Sequence, residues 1–212
     1  DLMRRRDFVR LAALPLLAPP LGALASTPAL AQQLDEEAIL HDPQAPTSGN
    51  PKGDITIVAF LDYNCPYCKK SAPDLERVVK EDGKIRVVYK DWPVITEASV
   101  FGAQLALGAS YQGKYDAAHK ALMAIPGRRV TEDQMRKAIA DSGIDLQRLQ
   151  ADLNAHGEEI MALIKRNNAQ ANSLGLRGTP TYLVGPLLAS TLDYDSFKRA
   201  IAQARRQQAG GQ

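Results

Sequence analysis

Hydrophobic positions fall into three regimes along this chain. Residues 55–61, Ile-Thr-Ile-Val-Ala-Phe-Leu, form a β-branched apolar run that ends at Asp62. Continuous apolarity bounded by turn residues predicts a strand buried on both faces. From Pro66 the period lengthens: Leu75, Val78 and Val79 share one helical face, Glu76, Arg77, Lys80 and Glu81 the other, until Asp82-Gly83 stops the pattern. A second β-rich run, Ile85 to Tyr89, leads into Lys90-Asp91-Trp92-Pro93. Strand, helix, strand predicts a βαβ unit with parallel strands and a right-handed crossover.

From about Glu97 to Leu174 no strand pattern occurs. Helical periodicity appears instead over 97–112, 114–125, 131–142, 145–154 and 157–174, punctuated by Gly113, Pro126-Gly127 and Gly143. The chain then returns to β character at Gly178-Thr179-Pro180-Thr181-Tyr182-Leu183-Val184, followed by a short partner strand at 187–190 and a helix from about Tyr194 to Gln207. The tail, 209–212, is expected to fray. The pattern predicts an α/β domain built from 55–94 and 176–208, interrupted by an all-helical insertion over 95–175 and preceded by a polar, proline-rich segment over 32–54.

The first 31 residues read differently. An arginine-rich start, an apolar stretch from Leu11 to about Leu24 and the small-residue pattern Ala29-Leu30-Ala31 predict a secretory signal peptide. Pro15, Pro19 and Pro20 interrupt the apolar stretch short of the roughly 20 residues of a membrane span. Arg5-Arg6-Asp7-Phe8 fits a twin-arginine signal, with an arginine-rich general secretory signal as the alternative. Export to the periplasm is expected.

Composition narrows the function. With 45% hydrophobic and 24% charged residues the chain falls among globular proteins. A net charge of +2, with no Lys/Arg stripe interleaved with aromatics, argues against nucleic acid as a partner. His41, His119 and His156 are dispersed and lack zinc-site spacing, so no metal or cofactor is expected. Phe60, Leu61, Trp92 and Phe101 are expected in the core.

The chemistry lies in Cys65-Pro66-Tyr67-Cys68, which holds both cysteines of the chain. A bridge across two residues closes almost no loop, so stapling the fold is a poor explanation. Dithiol exchange needs one stabilised, exposed thiolate and a second thiol close enough to attack the mixed disulfide formed by the first. With Cys65 at the N-cap and Pro66 as the first helical residue, Cys65 is the expected nucleophile and Cys68 the resolving thiol. A helix dipole contributes roughly 0.3 to 2 kcal/mol against about 1.4 kcal/mol per pKa unit, so it lowers a thiol to no less than about 7. A lower value requires direct N–H donors or a charged neighbour. Tyr67 is neutral, and an intermediate thiolate is expected. Pro73 falls inside the helix, where it removes one backbone hydrogen bond.

The strand ending in C-P-Y-C, the helix carrying Pro73, the βαβ unit, the helical block and Gly178-Thr179-Pro180-Thr181, in that order, resemble the thioredoxin-fold disulfide oxidoreductases of the DsbA family. With Thr before the proline, the pattern is most similar to the suppressor-of-copper-sensitivity C (ScsC) branch. The resemblance implies a thioredoxin fold with an all-helical insertion between the βαβ and C-terminal ββα units. It also implies a cis Pro180 facing Cys65 and Cys68, with Thr179 and Pro180 presenting backbone to an extended client peptide. Relatives commonly carry a glutamate six positions before the nucleophile that assists proton transfer from the buried cysteine. Here that position is Ala59. Lys90 matches the lysine that pairs with that acid, and is left without a partner unless Asp91 or Asp62 substitutes.

The leading expectation is thiol–disulfide exchange with unfolded or partly folded exported proteins, the oxidase direction slightly favoured. An isomerase or reductase kept reduced by a membrane electron carrier is the alternative, because Thr179 matches isomerase-like relatives. An oxidase implies a membrane partner that restores the disulfide. A Cu(I)-binding envelope protein is the alternative of another class, since two thiolates can hold Cu(I). About twenty residues separate Gln32 from the first strand, too few for a separate dimerisation domain, so a monomer is expected.

Overall fold

The computed structural model describes residues 36–210; the expected signal peptide at 1–31 lies outside them. The elements run α1 (36–40), β1 (Thr47–Gly49), β2 (Ile55–Leu61), α2 (Pro66–Asp82), β3 (Ile85–Asp91), α3 (Glu97–Ser110), α4 (Tyr115–Met123), α5 (Glu132–Ala140), α6 (Leu146–Ser173), β4 (Thr181–Val184), β5 (Leu187–Ala189) and α7 (Tyr194–Gly210). The five strands form one sheet in the order β1-β3-β2-β4-β5.

β2 is central. It pairs parallel with β3, Ile55 opposite Ile85 through Leu61 opposite Asp91, and antiparallel with β4, where Ala59 lies opposite Tyr182. The apolar run is buried on both faces, as expected. Ile57, Ala59 and Leu61 join a core that includes both cysteines, Leu75 and Val78 of α2, Phe197 and Ile201 of α7, and the helical block. Val58 and Phe60 join Val88, Trp92, Ile39, Ala45 and Ala171 on the opposite face. The 3.3 Å rise and alternating side chains of a strand put successive residues of β2 into different cores.

α2 begins and ends where the pattern predicts. Cys65 is its N-cap and Pro66 its first residue, while Gly83 closes it with φ 70° and an N–H donated to Val79 O. Expected core residues Phe60, Leu61 and Trp92 are buried, and Phe101 is partly buried against the larger core.

Three expectations change. The segments at 145–154 and 157–174 are one 28-residue helix, α6. Gly157 sits inside it where a Cβ would meet open space, and its cost of about 1 kcal/mol is outweighed by the buried Leu149, Ile160, Leu163 and Ile164. Facing it, Gly108 of α3 provides close approach: a Cβ there would lie 2.8 Å from Leu153 Cδ2 and 2.9 Å from Leu149 Cδ1. The polar, proline-rich segment over 32–54, for which no strand was predicted, contains β1, an antiparallel edge strand on β3. Finally, α7 continues through Ala209 to Gly210, where fraying was expected.

Candidate active site

The turn between β2 and α2 is organised by Asp62. Its carboxylate, 1% exposed, accepts from Asn64 N (2.7 Å), Ser99 Oγ (2.7 Å), Val94 N (2.8 Å) and Ile95 N (3.0 Å). Asn64 continues the frame: its Nδ2 donates to Thr96 Oγ1 and Val130 O, and its Oδ1 accepts from Val130 N. Cys65 N donates to Asp62 O at 3.1 Å. The nucleophile's backbone is therefore fixed by contacts to the start of α3 and to the loop before α5.

Cys65 Sγ accepts from Cys68 N at 3.1 Å and lies 3.2 Å from Thr179 O, to which it donates in its protonated form. The Thr179-Pro180 peptide bond is cis. The cysteines are unbridged and both are buried, Cys65 to 1% exposure and Cys68 to 0%. An exposed first sulfur was expected. The structure corrects this: the segment leading into β4 lies directly over it, and Tyr67, 60% exposed, is the residue of the motif that faces water.

The two thiols are driven apart. A hydrogen bond from the Cys68 side chain, helped by Thr179 and the N–H groups of Cys68 and Tyr67, outweighs burial and lowers Cys65 to about 6. These are the direct donors that the dipole limit called for. The Thr179 hydroxyl itself is buried and makes no hydrogen bond of ordinary geometry. Burial, reinforced by Cys65, pushes Cys68 far above the usual thiol range. One sulfur is anionic at neutral pH and the other holds its proton.

Lys90 is fully buried, but not beside the thiols. It lies opposite Phe60 and two residues from both Val88 and Trp92, so it shares their side, the far face of the sheet. Its partner is neither Asp91 nor Asp62. Asp42, from the N-terminal segment, lies 3.8 Å from Lys90 Nζ and accepts two hydrogen bonds from Arg166 at 2.7 and 3.1 Å. Burial lowers Lys90 to about 8 despite the attraction of Asp42. Asp91 points into the larger core, where burial raises it to about 7 and Tyr115 OH donates to its Oδ2 at 3.0 Å. His119 accepts or donates at Tyr63 OH, 3.1 Å away, and burial holds it down to about 4.

An open cavity of about 1100 Å3 adjoins the site. Its walls come from α2 (Pro66, Lys69, Pro73), α4 (His119, Met123), the loop 124–128 and Tyr182. Lys69 Nζ, donating to Ile125 O at 2.7 Å and Gly127 O at 3.1 Å, ties that loop to the first turn of α2. The sequence reading missed Asp62 and Asn64 as the frame of the turn, and also Ser71, Tyr182 and Asp42. The alternation of β3 was a usable signal that Lys90 and the cysteines occupy different faces; nothing local pointed to Asp42.

A thioredoxin family model matches residues 41–203. Among curated proteins, the chain is 26% identical over 161 residues to the Na(+)/H(+) antiporter NhaA 1 of Mycobacterium sp. (strain KMS), covering 74% of this chain but only 26% of that protein. It is 25% identical over 165 residues to the probable disulfide bond formation protein D of Bacillus anthracis, covering 72% of this chain and 75% of that one. A thioredoxin-like oxidoreductase from Silicibacter pomeroyi DSS-3 superposes with a TM-score of 0.74 at 38% identity, covering 80% of this chain and 97% of the other. The catalytic domain of Proteus mirabilis ScsC shares the fold, with a TM-score of 0.72 at 23% identity over 82% of this chain and 96% of that domain.

Proposed function

We propose, from the premise that the chain belongs to the thioredoxin family, that it is an exported protein disulfide oxidoreductase acting chiefly as an oxidase. Thiol–disulfide oxidoreductases of DsbA and ScsC type are its structural neighbours. The observation that carries the oxidase reading is the split between the two sulfurs: Cys65, lowered to about 6, against Cys68, which keeps its proton. A stabilised Cys65 thiolate favours the reduced form, and a stabilised reduced form makes the disulfide a stronger oxidant.

The reaction begins from the Cys65-Cys68 disulfide. A client thiolate attacks Cys65 Sγ, a new S–S bond forms, and Cys68 leaves with the electron pair and takes up a proton. A second client thiolate then attacks the client sulfur of the mixed disulfide and displaces Cys65 as the thiolate that its hydrogen bonds favour. The client loses two electrons and two protons; the protein gains two electrons and one proton, and the other proton goes to water. Pro66 and Tyr67 shape the approach, and Thr179 and Pro180 offer backbone to an extended client. Lys90, paired with Asp42 on the far face, supports the sheet that carries α2 and takes no proton from the thiols.

The clients are unfolded or partly folded exported proteins, met in the periplasm by a monomer. A membrane oxidase restores the disulfide. Thr179 favours the second reading, an isomerase or reductase supplied by a membrane electron carrier. Equilibration of the pair with glutathione decides the direction, because potentials in this chemistry run from about −120 mV for a strong oxidant to about −270 mV for a reductant. A value near the upper end, with oxidation of a reduced client and weak refolding of a scrambled one, supports the oxidase; a value near the lower end overturns it. Insulin reduction and refolding unchanged by copper reject a primary Cu(I)-binding role.

A further inference from the structure

We propose that the open groove between α2 and α4 holds a stretch of the client that is apolar beside its cysteine and acidic within about six residues of it, so that acidic clients are selected; this deepens the exchange reaction proposed above and rests on it.

The two flanks of α2 differ. α7 covers one: the Arg77 guanidinium lies 4.0 Å from the centre of the Tyr194 ring, and Asp82 accepts from Arg205 at 2.7 Å. The other flank faces the 1100 Å3 cavity along its whole length, from Pro66 to Gly83. Val79, Tyr89, Met123, Ile125 and Tyr182 give that cavity an apolar lining, and an apolar partner would remove that surface from water. Pro66 belongs to the C-P-Y-C turn, so the groove starts beside the nucleophile. Its wall is set in advance, since Lys69 Nζ ties the loop 124–128 to α2 through Ile125 O and Gly127 O. Pro73, also in the wall, has no N–H. Lys69 O therefore lacks the donor that the helix would supply from position 73, and is left as an acceptor for a client N–H.

Charge selects what fits. Lys69, Lys70, Lys80, Lys120 and Arg128 line the groove against two carboxylates, Glu76 and Asp116. Glu76 is occupied by Lys120 at 2.6 Å, and burial of Asp116 disfavours its charged form. Lys70, Lys80 and Arg128 are exposed and make no ion pair among the described residues. The groove therefore sets unanswered positive charge beside an apolar lining, in a chain whose net charge is only +2. From Pro66 to Lys80, α2 rises about 21 Å at 1.5 Å per residue, a span that an extended chain covers in about six residues. A client cysteine at Cys65 thus places its own acidic neighbours within reach of Lys70 and Lys80. A fatty acid would match the charge and the lining, but it has no N–H for Lys69 O and no reason to begin at the sulfur.

Two dithiol peptides of one sequence test this, with either glutamates or glutamines at about two and six residues from the first cysteine. Each is oxidised by the disulfide form of the protein, and its rate is divided by its rate with glutathione disulfide to remove differences between the peptide thiols. The glutamate peptide is expected to react about tenfold faster at low ionic strength, and the gain should close in about 1 M salt. Lys70→Gln/Lys80→Gln/Arg128→Gln should bring the ratio to within about twofold of unity. Lys165→Gln/Lys198→Gln/Arg206→Gln removes the same charge from exposed positions outside the groove and should keep the ratio. A ratio near unity in wild type, or its loss in both triple variants, overturns the proposal, the second result making selection a property of overall charge. A copy of the glutamate peptide with serine for cysteine, titrated calorimetrically, separates the two claims. Binding of that copy without oxidation of either peptide sinks the oxidase reading and leaves the groove standing; oxidation of both peptides at equal rates without binding does the reverse. Binding of dodecanoate where the copy does not bind assigns the groove to a lipid and overturns the proposal.

Discussion

The two faces of the central sheet solve the same problem in opposite ways. On one, Cys65 and Cys68 are buried and ionisable, and their hydrogen bonds come from within four residues and from the strand-leading Thr179. On the other, Lys90 is buried and ionisable, and its counter-charge arrives from Asp42, which Arg166 of α6 holds in place. The first arrangement leaves a charge poised to leave; the second sets a counter-charge 3.8 Å from Lys90 Nζ, which makes no hydrogen bond. A buried charge is thus chemically useful where its support is short-range, and structural where distant segments bring it a counter-charge.

The largest expected effect sharpens that contrast. Asp42→Asn removes the counter-charge of a fully buried lysine and should cost about 3 to 5 kcal/mol in denaturant unfolding, without moving the Cys65 titration. Lys90→Met, which leaves Asp42 paired with Arg166, should cost less. If Asp42→Asn instead shifts the Cys65 thiolate, the faces are coupled and the comparison fails.

The next effect adds a charge where none exists. Ala59→Glu inserts a long side chain between its register neighbours Tyr89 and Tyr182, and should destabilise by about 1 to 3 kcal/mol through overpacking. Stopped-flow resolution would nevertheless quicken if proton loss from Cys68 is limiting. Identical rates in Ala59→Glu and wild type would remove proton loss as the slow step.

The pH dependence follows from the Cys65 shift. Its folded value, about 6, lies below the ordinary thiol value, so the thiolate stabilises the reduced fold above that ordinary value and this contribution is lost as pH falls through about 6. Alkylation of reduced protein should therefore show a midpoint near pH 6, and the stability advantage of reduced over oxidised protein should shrink as pH is lowered from 8 to 5. A midpoint in the ordinary thiol range would contradict the split.

The smallest effect concerns the covering strand. Thr179→Val keeps the volume and removes a hydroxyl that favours the thiolate without a formed hydrogen bond. The Cys65 midpoint should rise by less than about one unit, equivalent to about 1.4 kcal/mol. A larger rise would mean that the hydroxyl, and not the local N–H donors, holds the charge.

These outcomes track what was legible in the sequence. β2, α2 and β3 could be read because their patterns are local: an apolar run, a 3.6-residue period, a glycine in the left-handed conformation at the end. Cys65 as N-cap and Pro66 as first residue follow from the same local logic. Asp42 finding Lys90, Tyr182 finding Ser71 and Thr179 closing over Cys65 are contacts between residues 48, 111 and 114 positions apart, arithmetic that no window along the chain contains. α6 was split at 155–156 for the converse reason, since the continuity of 145–154 with 157–174 rests on packing against distant elements.

The carboxylate of Asp62 joins the exit from β3 to the entry into α2, binding Val94 and Ile95 on one side and Asn64 on the other. Where the helical block departs from the sheet, the chain therefore has no slack: a residue gained or lost between Pro93 and Thr96 would be transmitted straight to the sulfur. Divergence in the size of that block has to be absorbed at its remote connections, 111–114 and 141–145, where added length would leave the thiol turn in register.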